Sequence, residues 1–309
     1  MLLKKNKTIF TDYVKINKLC FNYVDIGARG NIVSPWLELE RVSKIIGFEP
    51  DSIEAKRLNE KYINRLYYST ALWSSQRKGK VYINEWEPTS SMYRPNDEFI
   101  NKFHVQHWEG RRLKKEIDVE CNTLDNVLMQ DELIPDFIKI DTQGAELEIL
   151  KGAERILTNY CPIVTCETWC AEVYKNAPMM HEVIQYMNNH GYQVFDMELA
   201  AAWKHGNKEV SSKRKSIGYE ILFVKVKDIN VVHNQQIIKL LLLLELYGYR
   251  DYAIFLMDSL KIDFKELDSL IKINNKNELK LHNKLLNKII EKINKLHDLK
   301  IKNYPGIKY

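Results

Sequence analysis

Three acidic side chains follow apolar, β-rich runs of the sequence, and each could bind one part of a small polar molecule. Asp25 is the next-to-last residue of the run FNYVDI, which precedes a glycine turn, GARG at 27–30; Glu49 stands in GFEPD; Asp141 stands in KIDTQGAE. Backbone N–H groups of such a turn, with the partial positive charge of a helix start, suit an anionic group. A carboxylate after a second strand can accept hydrogen bonds from ribose hydroxyls.

The segments around these acids alternate between strand and helix patterns. The predicted strands are 21–26, 44–49, 66–72 and 135–141, and the predicted helices are 35–43, 52–61 and 145–157. Strand and helix in repeated alternation build a mostly parallel sheet with helices on both faces. The carboxyl ends of parallel strands share one edge, so we expect the three acids to meet there.

The second half of the chain predicts how the sheet ends. A strand at 162–168 and a helix at 179–190 precede two β-rich runs, GYQVFDM at 191–197 and IGYEILFVKV at 217–226. No full crossover helix fits between these two runs. They are therefore predicted to pair antiparallel at one edge of the sheet.

Two simpler interpretations of the acids stay open at this point. Asp25 could cap the turn, and Glu49 could serve as the carboxylate at a helix N-terminus. A nicotinamide dinucleotide is disfavoured, because its phosphates need G-x-G-x-x-G and the sequence has G-A-R-G-N-I at 27–32.

Charge is unevenly distributed along the chain. The 309 residues carry a net charge of +5, while residues 272–303 alone hold nine lysines against three acids. The rest is close to neutral, so we expect no nucleic-acid partner.

Five cysteines with no CxxC pair and no signal segment favour a reducing cytoplasm. No cluster of ligands predicts a metal site.

The C-terminal part, residues 229–309, is rich in Leu, Ile, Lys and Asn and predicts a helical extension. Its most apolar stretch, 237–246, is too short to span a bilayer. Leu279, Leu286 and Ile293 recur every seven residues, as in a coiled-coil seam. This seam could pack on the main domain or on a partner, including a second copy. The lysines could lie on an anionic membrane surface or form a solvated face.

Several motifs together resemble the FkbM family of S-adenosylmethionine-dependent methyltransferases. They are, in order, VDIGARG, GFEPD, STALWSS, PTSSMYRPN, NTLDNVL, FIKIDTQGAELEILKGAE, EVYKNAPMMHEVIQYMNNHGYQVFDM and GYEILFVKV. The resemblance implies a Rossmann-like α/β fold, a seven-stranded class I sheet with an antiparallel last strand. We expect an N-terminal segment, 1–20, a methyltransferase domain, 21–228, with an insertion at 73–120, and the helical extension, 229–309.

The resemblance also implies which residues contact S-adenosylmethionine, and S-adenosylhomocysteine as the product. They are Asp25, Gly27, Ala28, Gly30, Glu49, Pro50, Thr70, Ala71, Leu72, Asp141 and Gln143. Many relatives have D-x-G-A-N-x-G at the turn, whereas this chain has Arg29 and Asn31 at the Asn and second Gly places. Asn tolerates the left-handed conformation that such a place requires. Glu146 could act at the site or at its helix start.

Family members are similar in methylating hydroxyls, so we expect O-methyl transfer to a sugar, glycan or related small molecule. The candidate bases are Asp141, Glu167 and His104. Aromatic residues and arginines of the insertion could form a lid that binds a ring bearing phosphate or carboxylate, or a small core of their own. A second wall could come from Trp169, Tyr174, Trp203, Lys204 and His205. The alternatives are a cofactor-binding scaffold without catalysis and a methyltransferase for RNA or protein.

Overall fold

The computed structural model describes residues 19–208, 210–229 and 234–260. Its strands are β1 (Phe21–Ile26), β2 (Ser43–Phe48), β3 (Arg65–Tyr68), β4 (Ala71–Leu72), β5 (Arg77–Asn84), β6 (Leu113–Asn122), β7 (Phe137–Ile140), β8 (Ile163–Trp169), β9 (Tyr192–Trp203) and β10 (Lys215–Lys225). Its helices are α1 (Trp36–Leu39), α2 (Ser52–Lys61), α3 (Asp97–Ile100), α4 (Val105–Trp108), α5 (Leu124–Gln130), α6 (Glu146–Lys151), α7 (Glu154–Asn159), α8 (Met180–Asn189), α9 (Asn234–Leu246) and α10 (Arg250–Ser259).

Seven strands form the main sheet in the order β3-β2-β1-β7-β8-β10-β9. The five neighbouring strands β3, β2, β1, β7 and β8 pair in parallel, and β10 runs antiparallel between β8 and β9. The predicted seven-stranded sheet with an antiparallel last strand is confirmed. After β1 the chain turns to β2 on one side, whereas β7 pairs with the other side of β1. A crevice therefore opens at the carboxyl ends of β1 and β7, where such sheets bind ligands.

Apolar side chains hold the two faces of this sheet. On one face, alternate residues of the central strands pack with α5 to α8 into one buried core. On the other face, Trp36 of α1 stacks on Tyr23 of β1, with ring centroids 4.6 Å apart, and tilts against Phe137 of β7 at 5.1 Å. Large aromatic contacts of this kind fix how the short helix α1 sits on the sheet.

Two predicted elements are divided in the structure. The strand predicted at 66–72 splits into β3 in the main sheet and β4, which pairs with β6 in a second sheet. The helix predicted at 145–157 splits into α6 and α7 around Gly152. A Cβ there would lie 2.2 Å from the carbonyl oxygen of Trp73, so the chain after β4 packs directly against this break. Helical periodicity continued across the break because both helices bury their apolar residues in the same core.

The insertion, residues 73–120, has a fold of its own. Its strands β5 and β6 pair antiparallel, and β6 also pairs with β4, in a three-stranded sheet. The short helices α3 and α4 follow β5 and bring aromatic residues against the end of β8. The sequence predicted an insertion here, but not the sheet.

The described residues fall into two compact units, divided within α9 at Leu243 and Leu244. In the unit that begins at Leu244, Arg250 at the start of α10 donates two hydrogen bonds to the Glu245 carboxylate, at 2.7 and 3.0 Å. The predicted heptad seam, Leu279 to Ile293, lies outside the described residues. Every helix within them is too short or too polar to cross a bilayer.

Two glycines of the turn after β1 provide a matched test of the crevice. Both have positive φ, +83° at Gly27 and +108° at Gly30, but a Cβ at Gly27 would lie 2.0 Å from the Asp141 carbonyl oxygen. A Cβ at Gly30 would meet no described atom within 4 Å. We expect Gly30→Ala to lower the free energy of unfolding by about 1–2 kcal/mol through backbone strain. Gly27→Ala should cost about 1–3 kcal/mol more, because β1 and β7 must separate.

Urea unfolding of both variants measures this difference. Equal losses for the two variants would show that β1 and β7 do not pack as closely as described.

Candidate active site

An open cleft of about 720 Å³ lies at the carboxyl ends of β1, β2 and β7. Seven of the residues predicted to contact a cofactor line it, namely Gly27, Glu49, Pro50, Thr70, Ala71, Leu72 and Asp141. Val81, Ile83 and Ile117 of the second sheet complete an apolar wall. The sequence did not predict this wall, because nothing in the pattern of the insertion indicates which way its strands face.

Glu49 lies at one end of the cleft, directly after β2. Its side chain is buried, and its Oε1 accepts a hydrogen bond from the Asp51 N–H at 2.9 Å. Burial raises the pKa of Glu49 to about 7, although the Asp51 N–H and Arg29 act in the opposite direction. Asp51 is the residue that caps α2, accepting from the Ile53 N–H at 3.0 Å. Glu49 thus accepts a hydrogen bond at the start of α2, as a carboxylate at a helix N-terminus does, while Asp51 provides the side-chain cap.

Arg29, the residue that departs from the usual family turn, contacts three carboxylates around the cleft. Its Nη1 lies 2.9 Å from Glu87 of the insertion and its Nη2 lies 3.1 Å from Asp51. Its Nε lies 3.8 Å from Glu49. The arginine thus joins the turn after β1, the start of α2 and the insertion in one ion-pair network.

The turn itself is held by β2. The N–H groups of Gly27 and Ala28 both donate to the Phe48 carbonyl at 3.1 Å, so these two donors are engaged within the fold. Ala28 is buried against Leu58 and Tyr67. Ala28 and Gly30 are not among the residues that line the cleft.

Asp25 forms an ion pair beneath the turn. Lys139 of β7 reaches Asp25 Oδ1 at 3.3 Å and Asp141 Oδ2 at 3.5 Å, so one ammonium joins two carboxylates from neighbouring strands. Burial raises the pKa of Asp25, and Lys139 acts against that rise. Burial also lowers the pKa of Lys139, but the two aspartates more than offset this and raise it overall. Asp25 is thus a partner of Lys139, and its predicted contact with a cofactor is not seen in the cleft lining.

Sequence reasoning missed Lys139, although a signal was present. It is the only charged residue within the apolar run FIKI of β7. A lysine in the middle of a buried strand needs a buried partner.

A hydrogen-bonded network joins the ends of β7 and β8. Gln143 Nε2 donates to Asp141 Oδ1 at 2.9 Å and to Glu167 Oε2 at 2.7 Å. The Tyr174 hydroxyl lies 3.0 Å from Gln143 Oε1 and 2.7 Å from the Thr89 carbonyl oxygen, two acceptors for its single hydrogen. Both amide hydrogens of Gln143 are therefore used in holding the two carboxylates, and this residue lies behind Asp141 rather than in the cleft lining.

The two carboxyls of this network share one proton. Burial and, after it, the charge of the neighbouring Asp141 raise the pKa of Glu167 to about 9. Burial also raises the pKa of Asp141, but Lys139 and hydrogen bonds from Glu167 and Gln143 outweigh it and bring that pKa below its ordinary value. At neutral pH the geometry therefore holds Glu167 protonated and Asp141 ionised.

Glu146 shapes the loop that carries this network. Its Oε1 accepts hydrogen bonds from the N–H groups of Thr142 and Gly144, both at 3.0 Å. Burial raises the pKa of Glu146 to about 7, while these N–H groups lower it. Gln143 sits inside the loop with φ of +60°. Of the two roles considered for Glu146, the structure supports the one at the helix start.

His104 lies in the insertion, outside the cleft lining. It precedes α4, and its Nδ1 accepts from the Gln106 N–H at 3.3 Å. The residues predicted as a second wall gather near it: Trp169, Tyr174 and Trp203 belong to one buried cluster, and His205 packs on Phe103 with ring centroids 4.4 Å apart. The insertion therefore does form a small aromatic core with the sheet edge. No group of His, Cys, Asp and Glu among the described residues could hold a metal ion.

A comparison with models of protein families identifies the family of this chain. The model of the methyltransferase FkbM domain matches residues 25–194, more than half of the chain. The chain belongs to the FkbM methyltransferase family. The predicted family membership is confirmed, and the cofactor of this FkbM protein is S-adenosylmethionine. The matched range begins at Asp25 and includes Glu49, Asp141 and Glu167.

Solved structures similar to this FkbM protein include two methyltransferases. The methyltransferase FkbM from Methylobacillus flagellatus KT has 15% identity and a TM-score of 0.35, and the match covers 69% of this chain and 47% of that one. The magnesium protoporphyrin IX methyltransferase from Synechocystis PCC 6803 with bound S-adenosylmethionine has 8% identity and a TM-score of 0.34, over 72% and 80%. A search of curated proteins found no significant match.

The shared proton predicts how stability changes with pH. The pKa of Glu167 is about 9 in the fold against an ordinary value of 4.5. The folded protein then keeps a proton that the unfolded chain releases, so this group lowers the free energy of unfolding as pH rises from 4.5 towards 9. Glu167→Gln keeps the donor towards Asp141 without the titration. We expect it to be at least about 1 kcal/mol more stable than wild type at pH 8, and similar at pH 4.5.

Urea unfolding at the two pH values measures the effect. A Glu167→Gln variant that is less stable than wild type at pH 8 would show that Glu167 is ionised in the folded protein.

Proposed function

We propose that this FkbM methyltransferase transfers the methyl group to a hydroxyl of a sugar, glycan or related small molecule. The single observation that carries the proposal is Asp141. Its ionised carboxylate lines the cleft and is held in place by Lys139, Gln143 and Glu167. A carboxylate so placed can accept a hydroxyl hydrogen bond beside the cofactor.

The cleft residues suit the parts of the cofactor. Glu49 can accept hydrogen bonds from the ribose hydroxyls at one end, as an acidic residue at this place does in related sheets. Thr70, Ala71 and Leu72, with the apolar wall of the second sheet, suit the adenine ring. Asp141 lies at the end nearest β7 and suits the positively charged methionyl part. S-adenosylmethionine, when bound, supplies a methyl group on a sulfonium.

The protein's part in the reaction is to position the acceptor oxygen and receive its proton. In-line approach of the oxygen is the main requirement, and holding two reactants in that geometry removes much of the barrier. The low pKa of Asp141 makes it a weak base towards a free hydroxyl. That is sufficient here, because the hydroxyl proton becomes strongly acidic while the new C–O bond forms. Asp141 then takes the proton as that bond is completed.

Glu167 and Gln143 act through Asp141 in this proposal. Glu167 donates its proton to Asp141 and keeps that carboxylate in one orientation, while Gln143 holds both carboxyls. Glu167 thus serves as a positioning residue, and the catalytic role proposed from sequence falls to Asp141. His104 lies outside the cleft lining and has no part in this step.

The function is tested by incubating the protein with S-adenosylmethionine carrying a labelled methyl group and a panel of sugars, nucleotide sugars and glycan intermediates. We expect one class of acceptor to gain the label as a methyl ether, identified by mass spectrometry and NMR. Label found on nitrogen or carbon, or only on RNA or protein, would contradict the proposal. Cofactor binding without transfer to any acceptor would favour a scaffold instead.

Substituting the proposed base gives a second test. Asp141→Asn should lower kcat about 10²- to 10⁴-fold, because the carboxylate no longer takes the proton. Asp118→Asn, an exposed carboxylate on β6, is the matched control and should leave kcat unchanged. Rates measured at saturating cofactor separate this effect from weaker cofactor binding. An Asp141→Asn enzyme within a few-fold of wild type would exclude Asp141 as the base.

A further inference from the structure

A partly buried arginine in the insertion lacks a carboxylate partner. Arg111 follows α4, and its guanidinium lies 4.9 Å from the Trp203 ring centroid and 5.9 Å from that of Trp169. Its Nη1 donates to the His107 carbonyl at 2.8 Å, but its buried Nε has no hydrogen-bond acceptor. Within the described residues, no carboxylate oxygen lies within 4 Å of its side-chain nitrogens. Arginines removed from water ordinarily have an anion beside them.

A second buried donor beside Arg111 is also without an acceptor. Trp169 is 2% exposed, and its Nε1–H makes no hydrogen bond in the structure. Leaving such a donor unsatisfied is unfavourable, so two in the same cluster are unusual. The cation–π contact holds the guanidinium plane in place but satisfies neither N–H.

The surroundings of Arg111 are positively charged. Burial lowers the pKa of the neighbouring His107. The charges of Arg214, His104 and Arg111 lower this pKa further. A ligand group that enters here meets cations and N–H donors. The chemistry selects a compact anion with two or more acceptor oxygens, because a guanidinium binds carboxylate or phosphate through paired N–H groups.

The position of this cluster relates it to the proposed reaction. Trp169 and Glu167 are two residues apart on β8, so their side chains share one face and their Cα atoms lie roughly 6–7 Å apart. The charge of Arg111 also lowers the pKa of Glu167, and its side chain forms a hydrogen bond with Tyr174, the tyrosine beside Gln143, while its Nε–H stays without an acceptor. The cluster thus adjoins the carboxyl pair along β8.

We propose that Arg111 and Trp169 form a subsite for an anionic group, a carboxylate or a phosphate, on the acceptor that this enzyme methylates. The proposal rests on the proposed function for the identity of the acceptor, but the subsite binds the anion by itself. Arg111 contributes the charge and the Nε–H, and Trp169 contributes the Nε1–H. The subsite orients the acceptor so that one of its hydroxyls faces Asp141.

The test observes the two donors directly. The Nε–H signals of the arginines and the Nε1–H signals of the tryptophans are recorded by ¹H–¹⁵N NMR on the full chain, and Arg111→Lys and Trp169→Phe assign them. Inorganic phosphate, acetate and glycerol are titrated separately. We expect phosphate or acetate to move both signals in a saturable way, and glycerol to move neither. Tighter binding of phosphate or of acetate then tells which anion the acceptor carries.

Arg112 is the matched control, because it is exposed and lies 4.7 Å from the Trp108 ring centroid. Arg111→Gln should weaken binding of the anion at least tenfold, and Arg112→Gln should bind like wild type. No saturable shift in wild type, or an equal shift of the Arg112 signal, would overturn the subsite. S-adenosylmethionine titrated into the same samples reports on the cofactor cleft, so a failure of the proposed function is seen separately.

Discussion

The rest of the site depends on the two ion pairs that the Lys139 ammonium forms. The ammonium lies between Asp25 on β1 and Asp141 after β7. These are the two adjacent strands between which the strand order of the sheet reverses. Without the ammonium, two carboxylates on adjacent strands, of which Asp25 is buried, would face each other, and their like charges would repel. With it, Asp141 stays ionised at the edge of the cleft. Breaking such a pair costs more than the pair contributes, since the remaining charges are left buried.

Two further sets of contacts hold the two ends of the cleft in place. At one end, Arg29 gathers Glu49, Asp51 and Glu87, which fixes the glycine turn relative to the insertion. At the other end, Gln143 and a protonated Glu167 fix the orientation of Asp141. The insertion contributes to both ends, through Glu87 and through Ser91, whose hydroxyl donates to the Gln143 carbonyl at 2.8 Å. The cleft is thus built jointly by the sheet and the insertion.

Much of this arrangement could be predicted from the sequence, because it follows from local pattern and chain order. The apolar runs that became β1, β2, β7 and β8, and the acids that follow them, are local features. Lys139 could have been found by asking what a lysine does in an apolar strand. The protonation of Glu167 could not, because it depends on Asp141 and Gln143, which only the fold brings near. The sheet of the insertion also escaped prediction, since β4 pairs with β6 across about 50 residues.

We infer that the cleft between Glu49 and Asp141 binds S-adenosylmethionine, and calorimetry measures this binding. Wild type, Glu49→Ala and, as a control, Glu60→Ala at the exposed end of α2 are titrated with the cofactor. We predict that Glu49→Ala weakens binding by about 1.5–3 kcal/mol, through lost hydrogen bonds to a charged acceptor, while Glu60→Ala binds like wild type. Folded wild type that does not bind, or a Glu49→Ala variant that binds as tightly as wild type, would contradict it.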